Sequence, residues 1–147
     1  MKRLRAYYTR LATALLSALL LMSCSKYTAP SPLDGIWSVE EITCDDGTTP
    51  QVPGIDLETS IIYFDFKNVL YTVGTIKKET SGYIRKGWGN VYFHRDEMRL
   101  VPDERNDPYF PVPGNDGMGK ELTLKYKVWK GKLELSGNGY TLHLKKR

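Results

Sequence analysis

Beyond residue 35 the chain alternates. In ELTLKYKV, residues 121–128, Leu122, Leu124, Tyr126 and Val128 fall on one face, and Thr123, Lys125 and Lys127 on the other. A period of two belongs to a strand with one dry and one wet side. Tyr140, Leu142 and Leu144 alternate with Thr141, His143 and Lys145 in the same way, and Ile62, Phe64 and Phe66 share a face in IIYFDF. Further short segments of strand composition are IWSVEEI (36–42), VLYTV (69–73), residues 83–93, EMRLV (97–101) and LELS (133–136). Asn, Gly and charged residues punctuate them at Lys67–Asn68, His94–Asp96, Lys130–Gly131 and Gly137–Gly139, as tight hairpins require.

About eight short strands joined mostly by tight turns predict an all-β fold, an antiparallel up-and-down barrel, because closure removes the exposed sheet edges. Trp37 and Val39 join Ile62, Phe64, Phe66, Leu122, Leu124, Tyr126, Tyr140, Leu142 and Leu144 as the inward candidates. An eight-stranded barrel is just wide enough to be filled by such side chains or to hold one small ligand. Two longer connections, residues 45–59 and 101–120, interrupt the rhythm. The second carries four prolines and the adjacent Tyr109 and Phe110, and reads either as a lid with an apolar tip or as a packed loop plugging one end of the sheet.

The first 24 residues have a different pattern. MKRLRAYYTR is basic, LATALLSALLLM is apolar or small, and the run ends at Ser23 and Cys24. That order is secretory, and twelve residues fall short of the roughly 20 that span a bilayer. SKYTAPSPLD, residues 25–34, is polar and proline-bearing, as expected of a short tether. The division expected is therefore 1–23 leader, 24–33 tether and 34–147 one domain. The formal charge of +4 vanishes once Lys2, Arg3, Arg5 and Arg10 leave with the leader. A neutral remainder lacks the surplus of cations on which nucleic-acid affinity rests, so nucleic acid is not an expected partner.

Candidate chemistry is sparse. His94 and His143 have no zinc-site spacing, and Asp103, Glu104, Asp107, Asn115 and Asp116 lack the regular spacing of a calcium loop. No nucleophile elbow, phosphate loop or dinucleotide fingerprint is present. Cys44 has Asp45 and Asp46 beside it, not the electropositive setting that activates a thiol. No metal, no cofactor and no enzymatic activity are expected. In KGWGNVYFHR, Gly87 and Gly89 flank Trp88, which marks either a bend of the sheet or a close approach by another group. If the barrel holds a ligand, Trp88, Tyr92, Tyr109 and Phe110 are the expected contacts.

Two resemblances extend this reading. Leu21, Met22, Ser23 and Cys24 resemble the lipoprotein signal in its looser Bacteroidetes form, which implies diacylglycerol on Cys24 and a palmitate-bearing amino terminus after cleavage. Ser25 after the cysteine resembles the outer-membrane sorting rule, and the absence of an acidic run implies the periplasmic face. GIWSVEEI looks like the Gly-x-Trp opening of the lipocalin superfamily, with Gly35 and Trp37 at its fixed positions, and the strand meander is similar to the lipocalin-like domains of Bacteroidetes lipoproteins. The resemblance implies that Trp37 packs across the closed end of the barrel under a basic residue of the last strand, with Lys146 best placed. It also implies a non-enzymatic, membrane-anchored protein that binds a small apolar or amphipathic molecule. A filled barrel serving as a structural, protein- or glycan-interaction module of the cell envelope is the alternative.

Overall fold

The protein is described by a computed structural model that covers residues 32–105, 110–113 and 121–147. Eight strands follow one another in chain order: β1 (Gly35–Cys44), β2 (Ser60–Lys67), β3 (Leu70–Lys77), β4 (Tyr83–His94), β5 (Glu97–Pro102), β6 (Leu122–Trp129), β7 (Lys132–Gly137) and β8 (Tyr140–Lys146). Each pairs antiparallel with its sequence neighbours, and β8 pairs with β1 to close the barrel. Every strand segment expected from the alternation is present. β3 runs four residues beyond the predicted VLYTV, because Gly74, Thr75 and Ile76 remain paired with β4.

Local backbone chemistry sets the hairpins. Lys130 and Gly131, and again Asn138 and Gly139, all have positive φ, the twist-matched form of a two-residue hairpin. Asn68 and Arg95 supply the single positive φ of the β2–β3 and β4–β5 turns. The Asn68–Val69, Arg95–Asp96 and Lys130–Gly131 turns, with the chain entry at Gly35 and the last strand residue Lys146, form one end of the barrel. The 45–59 connection, the described ends of the β5–β6 connection, the β3–β4 loop and the Asn138–Gly139 turn form the other.

The interior is filled. Phe64, Val73, Met98, Leu100, Leu135 and Leu142 have no exposed surface, and Trp37, Phe66, Tyr71 and Leu124 are nearly as deep. Most of the expected inward positions are buried, while Val39 and Tyr126 are half-buried. Aromatic and aliphatic packing at this density removes enough apolar surface to hold the domain without a disulfide.

The entry of the chain seals the turn end. Trp37 Nε1 donates to the Leu33 carbonyl at 2.7 Å, and Leu33 itself is buried in the core. Asp34 Oδ1 accepts from the Asn68 amide at 3.0 Å and steadies the β2–β3 turn. Leu33 therefore belongs to the folded unit and not to the tether, since its side chain and its carbonyl are both used by the barrel. At the other terminus the Arg147 amide donates to the Ile36 carbonyl at 2.9 Å, so the two ends of the folded unit lie side by side.

Candidate functional site

The sealed end is built around Trp37 and Lys146. Trp37 and Lys146 are register partners across β1 and β8, and the Lys146 ammonium lies 5.5 Å from the Trp37 ring centroid. A cation over an indole face is attracted by the ring quadrupole. The lysine reaches it by crossing Gly35, where a Cβ would stand 3.0 Å from Lys146 Cε and where φ is +120°, a conformation suited to glycine. Gly35 and Trp37 thus form a structural plug.

Of the four residues expected to touch a ligand, the three that are described, Trp88, Tyr92 and Phe110, do not converge on a site inside the barrel. On β4 the inward positions opposite Tyr71 and Val73 are Gly89 and Gly87, so Trp88, paired with Thr72, turns to the outer wall. Arg85 stacks over Trp88 at 4.7 Å. Tyr92 is 49 % exposed on that same outside, beneath Arg99 at 5.1 Å. The physical reason is the parity of the strand: buried Val91 fixes the odd positions as inward. Both features anticipated at the glycine pair are found, a register shift between Val73 and Gly74 on the facing strand, and a close approach at Gly89, where the Tyr71 ring would lie 2.9 Å from an added Cβ. Phe110 points inward but as core, 1 % exposed and stacked on Tyr71 at 6.0 Å. Tyr109 and Cys24 lie outside the described residues.

Open space lies elsewhere. β1 pairs with β2 only over Gly35–Ser38 and Phe66–Tyr63. Beyond that, a bulge between Val39 and Glu41 bends β1 away, and the strands separate toward the loop end. The gap is a cleft of about 420 Å³, floored by Val39, Ile42, Leu57 and Ile61, with Lys78 and Arg147 as its cations and Glu40 and Glu41 as its carboxylates. Lys78 Nζ donates to the Leu57 carbonyl at 2.8 Å, so the connection after β1 is tied down over the gap. Its volume lies within the range that takes small ligands.

A second cleft of about 530 Å³ sits at the loop end between the start of the 45–59 connection and the β7–β8 turn. Its lining is mixed, with Asp45, Asp46, Thr48, Thr49, Gln51 and Asn138 beside Pro113 and Tyr140, and the free thiol of Cys44 is on its wall. Asp46 is already engaged with the Thr48 hydroxyl at 2.7 Å and amide at 3.0 Å, which hold its carboxyl below the ordinary range. Tyr140 also borders it, with a buried hydroxyl that makes no hydrogen bond. Burial raises that phenol well above its usual pKa, and the nearby Asn138 side chain opposes the rise without reaching bonding geometry. Among the described residues no three side chains of His, Cys, Asp or Glu are placed to hold a metal ion.

No family model matches the sequence, and no curated protein does. Solved structures do. A lipocalin-like protein from Bacteroides uniformis superposes with a TM-score of 0.55 at 21% identity, over 80% of this chain and 100% of its own. An uncharacterized protein from Bacteroides eggerthii superposes with a TM-score of 0.58 at 18% identity, over 78% and 99%. At this identity the likeness is one of fold: the chain forms a lipocalin-like eight-stranded barrel.

Proposed function

We propose that this protein is a non-enzymatic module of the cell envelope, anchored through acylated Cys24 to the periplasmic face of the outer membrane. It takes a small amphipathic molecule in the cleft between β1 and β2. The observation that carries this reading is the pairing of an apolar floor with Lys78 and Arg147 in a 420 Å³ opening. An acyl or ring portion removes apolar area from water on Val39, Ile42, Leu57 and Ile61, while the two cations meet an acidic head group. The cleft at the loop end is lined by Asp45 and Asp46 with no lysine or arginine, so it offers an acidic head group no cation. Each methylene buried adds about 0.8 kcal/mol, so about ten of them match the roughly 8 kcal/mol of micromolar binding, the length of a medium-chain acyl group.

The test uses a dansyl-labelled medium-chain fatty acid, titrated into protein beginning at Ser25 and followed by probe emission. Saturable binding that weakens at least ten-fold in Leu57→Ser and Lys78→Ala, and is untouched by Trp88→Ala, is expected. Absence of saturable binding, or loss in Trp88→Ala with both cleft variants unchanged, rejects the cleft.

The filled interior favours a second reading, a barrel that serves purely as a scaffold for a protein or glycan partner. Its mark is crosslinking in cells from residues 101–120 to a partner by a protein that binds no amphipathic probe.

A further inference from the structure

The two ends of the barrel differ in charge and in what they expose, and the difference is not needed to build the fold. At the sealed end, Val69 and Leu70 at the β2–β3 turn are 62 % and 54 % exposed, and Trp129 at the β6–β7 turn is 39 % exposed. Phe93 beside the β4–β5 turn is 37 % exposed and packs edge-on against Tyr126 at 5.5 Å. Apolar surface left open at three hairpin tips spaced around one rim defines a plane.

Cations stand between them. Lys67, Arg95, Lys130, Lys132 and Lys146 are all exposed at this end, against Asp34, Asp65, Asp96 and Glu97. Lys127 lies over the Trp129 ring at 5.3 Å, so the indole is presented beside an ammonium. The loop end is the reverse, with Asp45, Asp46, Asp56, Glu58, Asp103 and Glu104 exceeding Lys77, Lys78 and Arg105 among the described residues. It too exposes apolar groups, Tyr83 and Ile84, and charge distinguishes the ends. Finally, the chain enters the barrel at the sealed end, where Leu33 and Asp34 are fixed against Trp37 and Asn68.

We propose that the sealed end is a membrane-seating surface: Val69, Leu70, Phe93 and Trp129 enter the head-group layer of an anionic bilayer while the surrounding lysines and arginines contact its phosphates. Tryptophan favours that layer because it is apolar with one polar edge, and lysine or arginine gains from a negative surface potential within a Debye length. A chain anchored through Cys24 would enter the barrel at this same end. The barrel thus stands upright, with its acidic loop end repelled from the bilayer. This orientation rests on the lipid-anchor reading for its permanence, not for its geometry.

The full chain, purified from membranes and placed in vesicles of phosphatidylglycerol and phosphatidylcholine or of phosphatidylcholine alone, is examined with dibrominated lipids that quench nearby tryptophan. Quenching confined to the anionic vesicles, reduced at least three-fold by 0.5 M salt or by Lys130→Glu with Lys132→Glu, and at least halved in Trp129→Phe, is the expected result. Protein that remains membrane-held while Trp129 is unquenched overturns the proposal, as does quenching undiminished by Trp129→Phe, which belongs to Trp37 or Trp88. Equal quenching in both vesicle types overturns it too. Crosslinks in cells from the hairpin tips to a polypeptide, with Trp129 unquenched, assign the surface to a protein instead and also overturn it. Failure of the lipid anchor is read separately, as protein without diacylglycerol on Cys24 by mass spectrometry.

Discussion

Asp65 shows how one outward side chain responds to a crowded wall. It sits on β2 opposite Ile36 and Thr72, and partial burial raises its carboxyl pKa, with nearby Asp34 adding to the rise and Lys67 opposing it. A carboxyl whose folded pKa exceeds its unfolded value favours the fold only while protonated, and that contribution is lost as pH rises through the folded value. At neutral pH the ionised form therefore weakens the barrel. Asp65→Asn is expected to raise the melting temperature at pH 7, with the gain shrinking toward pH 3, where Asp65 is protonated in both states. Thermal melts of the two proteins across that range decide it; a gain that grows in acid contradicts the burial argument.

At the scale of elements, the 101–120 connection had two readings, lid or plug, and its described middle, Phe110–Pro113, packs as a plug does. The Phe110 ring is buried against Tyr71, and Val112, Val52 and half-buried Ile55 and Leu57 bring both long connections into the same core. Phe110→Ala is expected to cost about 3–5 kcal/mol in urea unfolding, because the cavity it leaves is lined by a closed barrel that cannot collapse. A cost below about 1 kcal/mol would return the loop to the status of a surface lid.

The strands themselves were legible because each buries one face, so their alternation is written in residues such as Leu122, Leu124, Tyr140 and Leu142. The lateral cleft was not read, although its trace is present: apolar positions in IWSVEEI change parity from Trp37 and Val39 to Ile42 across Glu40 and Glu41, where β1 bulges. Such a change marks an extra residue in one strand but carries no information on whether the neighbouring strand follows the bend. Trp88 was misplaced for a related reason, since a tryptophan between glycines does not tell which parity is inward until Val91 is seen to be buried.

For the whole molecule, a barrel closed at one end and parted on one side has uneven local stability. Along Val39–Cys44 the amides turned toward β8 are bonded, while those facing β2 have no ladder partner in the pairing. Hydrogen exchange is expected to alternate residue by residue there, with protected and fast amides interleaved, whereas both sides of Gly35–Ser38 are slow. Binding of an amphipathic probe in the cleft slows the fast set. Uniform protection along β1 in the free protein would show that the strands close in solution.

The bond from the Arg147 amide to the Ile36 carbonyl brings the chain's last residue beside its first strand. A few-residue linker from Arg147 to Pro32 would convert the folded unit into a ring without moving a strand, and new termini opened within residues 45–59 would give a circular permutant of the same barrel. In that permutant the flap over the β1–β2 gap is severed while the tryptophan plug stays intact, so pocket formation and barrel folding become separable by a single cut.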